Sequence, residues 1–277
     1  YALAEHEPKS VALAIEEQYF PKQSGSPTAG STIGQILAIA EKIDTLVGIF
    51  AVGLIPTGDK DPYALRRAAL GILRTIIENK LNINIVELTE FASAQIKTVS
   101  GQTRDQAETA DRVIDFIFDR LKGYCLDHGY TTDEFDAVLT VIPAEPLDFM
   151  QRLQAVKAFR QLPEAESLAA ANKRIRNILK KSDTQPAASV GALVEAQEKQ
   201  LLQAALQSES DIQPLLAQRN YQATLNRLAE LRNDVDAFFD HVMVMTDDLD
   251  LRANRLALLN LLSEQFLTCA DISKLQS

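Results

Sequence analysis

The sequence predicts an all-α protein, and three observations carry that prediction. Apolar residues recur at three- and four-residue intervals over most of the chain. No stretch alternates with period two for long enough to make a strand. Only 11 Gly and 10 Pro in 277 residues leave long stretches free of helix breakers. The length suffices for one large or two ordinary domains, each burying a sizeable core. At 46% hydrophobic and 24% charged, the chain reads as globular rather than disordered.

The elements follow in order. From Thr32 to Val52, the residues Ile33, Ile36, Leu37, Ile39, Ile43, Leu46, Val47 and Phe50 keep the spacing of one helix face. Gly53 ends that helix, and Pro56-Thr57-Gly58-Asp59-Lys60 combines turn-forming residues. Asp61 offers an N-cap carboxylate and Pro62 suits a first helical position, so the next helix is expected over Pro62–Lys80. Helical periodicity then covers Val86–Lys97, Thr103–His128 and Thr132–Leu139, punctuated by Gly101, Gly129 and the pair Pro143/Pro146. Asp148–Gln161, Ala165–Lys181, Val190–Gln207, Tyr221–Asp240 and Leu251–Asp271 complete the set. A lobe boundary is expected near Pro143–Pro146, with Ser182–Ser189 as a second candidate hinge.

The net charge of -10 argues against a protein that coats nucleic acid by bulk electrostatics and leaves only a local basic patch. Apolar runs are broken by charge well before the roughly 20 residues of a bilayer span. The two cysteines, Cys125 and Cys269, form no paired framework and fit a reducing, cytoplasmic location. The chain opens at Tyr1 with neither an initiator Met nor a signal pattern, so it is expected to be a piece of a longer protein.

No phosphate loop, dinucleotide fingerprint, zinc-protease motif or nucleophile elbow occurs. His6, His128 and His241 are isolated. Cys125, Asp127 and His128 could bring two ligands to one helix end, whereas a zinc site needs three or four. The plainer alternative is a helix C-terminus at which His128 meets the dipole. No metal site and no catalytic residue is expected.

Three basic features remain. In the helix after Asp61, Arg67 and Arg74 lie seven apart with Arg66 beside them and Lys60 in the preceding loop. Such a strip suits phosphate, because a planar guanidinium can grip two oxygens. Alternatively, Arg66 and Arg67 pair with Asp59, Asp61 or Glu78. Arg66 and Arg67 point about 100° apart, so Arg67 is expected to be the exposed member and Arg66 to have a structural carboxylate partner. The second cluster is Lys173, Arg174, Arg176, Lys180 and Lys181, in which Lys173, Arg176 and Lys180 share a face; its other reading is a helix C-terminus favoured by positive charge. The third is Arg252, Asn254 and Arg255, following Phe238-Phe239-Asp240. These cations stand in the first turns of a helix, where the dipole disfavours them, so carboxylate partners or a ligand are expected. Asp247 or Asp248 can cap that helix.

In this order the features resemble the C-terminal portion of the β subunit of bacterial glycyl-tRNA synthetase of the two-subunit type. The resemblance is carried by Lys42-Ile43-Asp44-Thr45-Leu46-Val47-Gly48-Ile49-Phe50 and by Pro56-Thr57-Gly58-Asp59-Lys60-Asp61-Pro62-Tyr63-Ala64-Leu65-Arg66-Arg67. Asn172-Lys173-Arg174-Ile175 with Asn177-Ile178-Leu179, and the stretch from Phe238-Phe239-Asp240 to Asn254-Arg255-Leu256, add to it. It implies an HD-like helical domain whose C-terminal part is residues 1–82, a connecting helical region 83–145, and an anticodon-binding helical bundle 146–277. It also implies a catalytic site for glycine, ATP and Mg on a separate α subunit, an α2β2 holoenzyme, and a β subunit that grips glycine tRNA. Of the HD metal ligands, only Asp44 resembles one, and no His-Asp dipeptide occurs, so a working phosphohydrolase is not expected. The resulting expectation is a tRNA-binding piece of glycine–tRNA ligase, non-catalytic alone, without membrane or DNA partners. It would place Lys60, Arg66, Arg67 and Arg74 near the acceptor arm and Lys173 to Lys181 near the anticodon stem, with Arg252 and Arg255 as a second surface there. The rival is a helical protein-interaction scaffold that reads no RNA.

Overall fold

A computed structural model describes residues 1–23, 25–58, 60–96 and 105–275. Asp59, Lys97, Gly101 and Thr103 lie outside them. The described residues form twelve α-helices and one short 310 helix, with no strand beyond an isolated bridge between Thr57 and Lys60. None of these helices is long and apolar enough to cross a membrane. The chain divides into two compact units: residues 1–129 with 144–150, and residues 130–143 with 151–277.

The first unit holds α1 (Lys9–Glu17), α2 (Thr32–Ala51), α3 (Leu65–Glu78), α4 (Ile85–Gln95) and α5 (Gln106–Asp127). Its core is the apolar face of α2 (Ile39, Ile43, Leu46, Val47, Phe50) against Leu65, Ile72, Leu73 and Ile76 of α3 and Val113, Ile117 and Leu121 of α5. Ser31 caps α2, its hydroxyl accepting from the Gly34 amide at 3.1 Å. That hydroxyl also donates to Glu17, the last residue of α1, whose carboxylate further accepts from the amides of Gly30 at 3.0 Å and Ser31 at 3.2 Å. Burial pushes the Glu17 carboxyl up, but these donors outweigh it and hold it below its ordinary range. Lys42, buried on α2, donates to the Gln18 carbonyl at 2.9 Å beyond the end of α1, which favours a cation there.

Two features differ from expectation here. Helix α1 was not anticipated. And α3 begins at Leu65 rather than Pro62, because Ala64 adopts a left-handed conformation, φ 55°, that closes a turn first. Asp61 still serves the helix start: its carboxylate accepts from the amides of Leu65 at 2.8 Å and Arg66 at 2.9 Å.

The second unit contains α6 (Thr132–Leu139), most of α7 (Pro146–Phe159), α8 (Ala165–Lys181), α9 (Ala196–Ala217), α10 (Tyr221–Ala229), α11 (Arg232–His241), α12 (Leu249–Leu267) and the 310 helix Ile272–Leu275. Leu168 and Ile175 of α8, Leu201, Ala205 and Ile212 of α9, Leu225 and Leu228 of α10, and Leu258, Leu259, Leu262 and Phe266 of α12 fill its core. The expected helix over Val190–Gln207 is displaced. Residues 190–194 are irregular and tied to α12 by the Gly191 amide donating to Asn254 at 2.9 Å, while a Glu195/Glu198 capping box starts α9 at Ala196. The helix then runs through Pro214 to Ala217. Tyr221–Asp240 is two helices, broken at Glu230 and Leu231. Ser182–Ser189 lies wholly inside this unit, where the Ala187 amide donates to the Ala253 carbonyl at 3.1 Å.

Candidate nucleic-acid interface

The second unit concentrates its exposed cations on α8. Leu168, Ala169, Asn172 and Ile175 turn inward, which leaves Lys173, Arg174, Asn177, Lys180 and Lys181 outward. Lys180 and Lys181 occupy the last turn, where the dipole favours them. Lys173, Lys180 and Lys181 are exposed and make no ion pair with another described residue. Arg174 is exposed too, but ordered: its guanidinium carbon lies 4.2 Å over the ring centroid of Phe239 on α11. The aromatic face holds this cation in place without cancelling its charge.

Arg176 is different and corrects the sequence reading. It is ion-paired to Asp271, whose side chain is 1% exposed and which also accepts from the Ser273 hydroxyl at 2.6 Å. The shared face of Lys173, Arg176 and Lys180 therefore presents two free cations and one neutralised one. Phosphate at Arg176 would have to displace a buried carboxylate.

Two clefts flank α8. One, about 520 Å³, is lined by Ala170, Lys173, Arg174, Asn177, Ile178, Lys181, Ser182 and Met245, with no carboxylate. The other, about 580 Å³, includes Lys173, Arg176, Lys180, Lys274 and the Asp271 carboxylate.

Arg252 and Arg255 are not available as an RNA surface. Arg255 is buried, donating to Glu198 at 2.6 Å and to the Met243 carbonyl at 2.9 Å. Arg252, its side chain 16% exposed, donates to the Thr246 carbonyl at 2.7 Å and lies 3.7 Å from Asp183. Both have the carboxylate partners that their place in the first turns of a helix demands. Asp248 caps that helix, accepting from the amides of Asp250 and Leu251 at 3.0 Å.

In the first unit the strip also thins. Arg74 is bound to Glu78 at 2.6 Å and to the Ser26 carbonyl at 2.8 Å. Arg66 donates to the Gly58 carbonyl, a backbone partner rather than a carboxylate. Arg67 and Lys60 are exposed. Asp44 is exposed on α2, and no group of three or more His, Cys, Asp or Glu that could hold a metal occurs among the described residues. Cys125 is fully buried, and burial pushes its thiol up to about 12. His128 meets the Tyr124 carbonyl at 2.7 Å at the end of α5.

Sequence spacing could have singled out Asn177, four residues from Lys173 on the outer face of α8. Met245, which comes to the same cleft from the loop between α11 and α12, carries no local signal.

Fold and site thus define a two-unit, all-helical protein with a lysine-rich helix face in its second unit. A family model described as "Glycyl-tRNA synthetase beta subunit" matches residues 1–140, and one described as "DALR anticodon binding domain" matches residues 168–275, which include α8 from Leu168 onward. The chain belongs to the glycyl-tRNA synthetase beta subunit family. It is 50% identical over 277 residues to the glycine–tRNA ligase beta subunit of Pseudomonas aeruginosa (strain LESB58). Those of Pseudomonas syringae pv. syringae (strain B728a) and Stutzerimonas stutzeri (strain A1501) are also 50% identical, over 281 and 277 residues. Each alignment covers 99% of this chain and 40% of the relative, so the chain spans about 40% of the length of the relatives it matches.

Proposed function

We propose that this chain is the tRNA-gripping part of a two-subunit, cytoplasmic glycyl-tRNA synthetase. In this reading the second unit binds the anticodon arm of glycine tRNA, and a separate α subunit in an α2β2 assembly joins glycine to the tRNA with ATP and Mg. One observation carries it: the anticodon-binding family match covers most of α8, including Lys173, Lys180 and Lys181, which stand exposed and without ion pairs among described residues in a chain of net charge -10. Long-range repulsion from RNA then makes a local cationic face the productive contact. Phosphate contacts position the RNA, and unstacked loop bases supply sequence. In the first unit, Lys60 and Arg67 are the remaining candidates for contact with the acceptor arm.

The test is binding of cognate and non-cognate tRNA to the full-length chain, with and without the α subunit. Preferential retention of glycine tRNA, with α8 protected in a footprint, supports the reading; equal, weak retention of every tRNA and no protection of α8 refutes it. The chain alone is expected to form no glycyl-adenylate, and adenylate formation would overturn that division of labour. The alternative of a protein-binding scaffold has one observation in its favour, the exposed Ile33, Ile36 and Leu37 on α2. The same competition separates the two.

A further inference from the structure

We infer that the cleft of about 520 Å³ beside α8 is the seat of one unpaired nucleobase, with Arg174 and Asn177 as the side chains that touch it. This rests on the reading of the second unit as RNA-binding and adds which of the two clefts takes a base and by what chemistry.

The two clefts share Lys173 and Asn177 and are of similar size, but their linings differ in kind. The one beside Asp271 contains a carboxylate already joined to Arg176, so an RNA phosphate there faces a cation whose charge is spent and an anion that repels it. The other has no carboxylate. Ala170, Ile178 and Met245 give it an apolar wall, Lys173 and Lys181 supply cations, and Asn177 supplies both a donor and an acceptor. Its volume falls within the roughly 300–1,000 Å³ of small-molecule sites. An unpaired nucleotide needs this combination: apolar surface or a guanidinium plane for the base face, an amide for the base edge, and cations for the flanking phosphates.

Arg174 completes the match. Arg174 lines the cleft, its guanidinium rests over the Phe239 ring at 4.2 Å, and it has no ion pair with another described residue. A planar cation held by an aromatic ring is pre-organised to stack on a base, because little side-chain freedom is lost when the base arrives. Phe239 is then a positioning residue that acts through Arg174.

The experiment uses the full-length chain and the anticodon stem-loop of glycine tRNA, synthesised with an abasic nucleotide at each unpaired loop position in turn, with binding read by fluorescence across a salt series. At one position, base removal is expected to weaken binding by the wild-type chain about tenfold. The same removal should cost Asn177→Ala or Arg174→Gln clearly less than it costs the wild-type chain, because each variant has already lost part of the base contact. Lys180→Ala, on the other side of α8, should keep the full penalty. Phe239→Leu should weaken the intact stem-loop while leaving the salt slope unchanged, as expected if only the orientation of Arg174 is disturbed. Binding of the stem-loop with no position at which base removal and Asn177→Ala are non-additive overturns the inference. So does displacement of the RNA by polyglutamate together with insensitivity to base removal, which would make the cleft a site for acidic peptide. Failure of the wild-type chain to bind any stem-loop refutes the RNA-binding reading itself, an outcome distinct from both.

Discussion

Arg255 and Glu198, 57 residues apart in sequence, meet in an ion pair of 2.6 Å that leaves the arginine side chain 6% and the glutamate side chain 0% exposed. Glu198 is already engaged at the start of α9, accepting from the Glu195 amide at 2.8 Å and from the Val194 amide. Arg255 in turn holds the Met243 carbonyl. One pair therefore joins the start of α9, the loop after α11 and the first turns of α12, and among the described residues its solvent-excluded charges are balanced by each other.

Removing either partner leaves an uncompensated charge. Arg255→Met is expected to lower the stability of the second unit by about 3–5 kcal/mol, measured by denaturant titration. The salt slope of RNA binding by the protein that remains folded should be unchanged, since Arg255 touches no phosphate. A stability loss below about 1 kcal/mol would class the pair with surface ion pairs.

Gly34 and Gly48, both on α2, are expected to respond to alanine in opposite directions. A Cβ at Gly34 would sit 2.1 Å from a carboxylate oxygen of Glu17 and 2.7 Å from its Cβ, and Glu17 is pinned by the amides and hydroxyl it accepts from. Gly34→Ala should cost about 1–3 kcal/mol, the range for overpacking. A Cβ at Gly48 meets nothing within 4 Å, so Gly48→Ala should stabilise by about 0.5–1 kcal/mol. Melting temperatures that move in the same direction would contradict the close packing of α1 on α2.

Glu17 also sets an acid limit. Its carboxyl is held below the ordinary value of 4.5 when folded, so the folded state binds its proton less readily than the unfolded chain does. Its contribution is therefore fully present above pH of about 4.5 and is lost as pH falls through the lowered folded value. Glu17→Gln should flatten that part of the stability profile and leave the neutral-pH slope unchanged, as read by thermal melts from pH 3 to 7. A variant profile parallel to that of the wild type would mean that Glu17 is not the group responsible.

Cys125 and Cys269 are both buried, and the Cys125 thiol is shifted up to about 12. Neither should react with a thiol-directed disulfide reagent at pH 8 until denaturant is added. Stoichiometric labelling of the native chain would show that one of the two helix ends opens.

The helices were legible where sequence carries both a period and a stop. Ala165–Lys181 is bounded by Pro163 before it and ends in paired lysines; Thr132–Leu139 has a Thr131/Glu134 capping box. The break at Glu230 and Leu231 was not legible, because Leu225, Leu228, Leu231, Val235 and Phe238 keep helical spacing straight across it, and all five are buried. The end expected at Gln207 was early: α9 continues through Pro214 to Ala217. For the site, spacing identified which cations share a face but not which are spent. Arg176, Arg252 and Arg255 are committed to Asp271, Asp183 and Glu198, all of them far away in sequence; only Arg74 has its carboxylate, Glu78, one turn along its own helix. No local pattern names the distant partners.

The neutralisation of Arg176 leads to the last prediction. Lys173, Lys180 and Lys181 are exposed without ion pairs among described residues, whereas Arg176 is joined to a carboxylate that is 1% exposed. Counterion release depends on the net charge brought to each phosphate, so free lysines contribute to the salt dependence and a neutralised arginine contributes little. Each of Lys173→Ala, Lys180→Ala and Lys181→Ala, where it contacts phosphate, should reduce the slope of log affinity against log salt by about 0.7–0.9 and weaken cognate and non-cognate RNA alike. Arg176→Ala should leave the slope nearly unchanged and instead lower the melting temperature, because it strands Asp271. Asp271→Asn should do the reverse: by freeing Arg176 it should raise the slope by up to about one unit and strengthen binding to every RNA without discrimination. The measurement is fluorescence binding of an anticodon stem-loop to the full-length variants between low and moderate salt. If Arg176→Ala lowers the slope as much as Lys173→Ala does, Arg176 leaves Asp271 for phosphate in the complex, and the ion pair is a feature of the free protein alone.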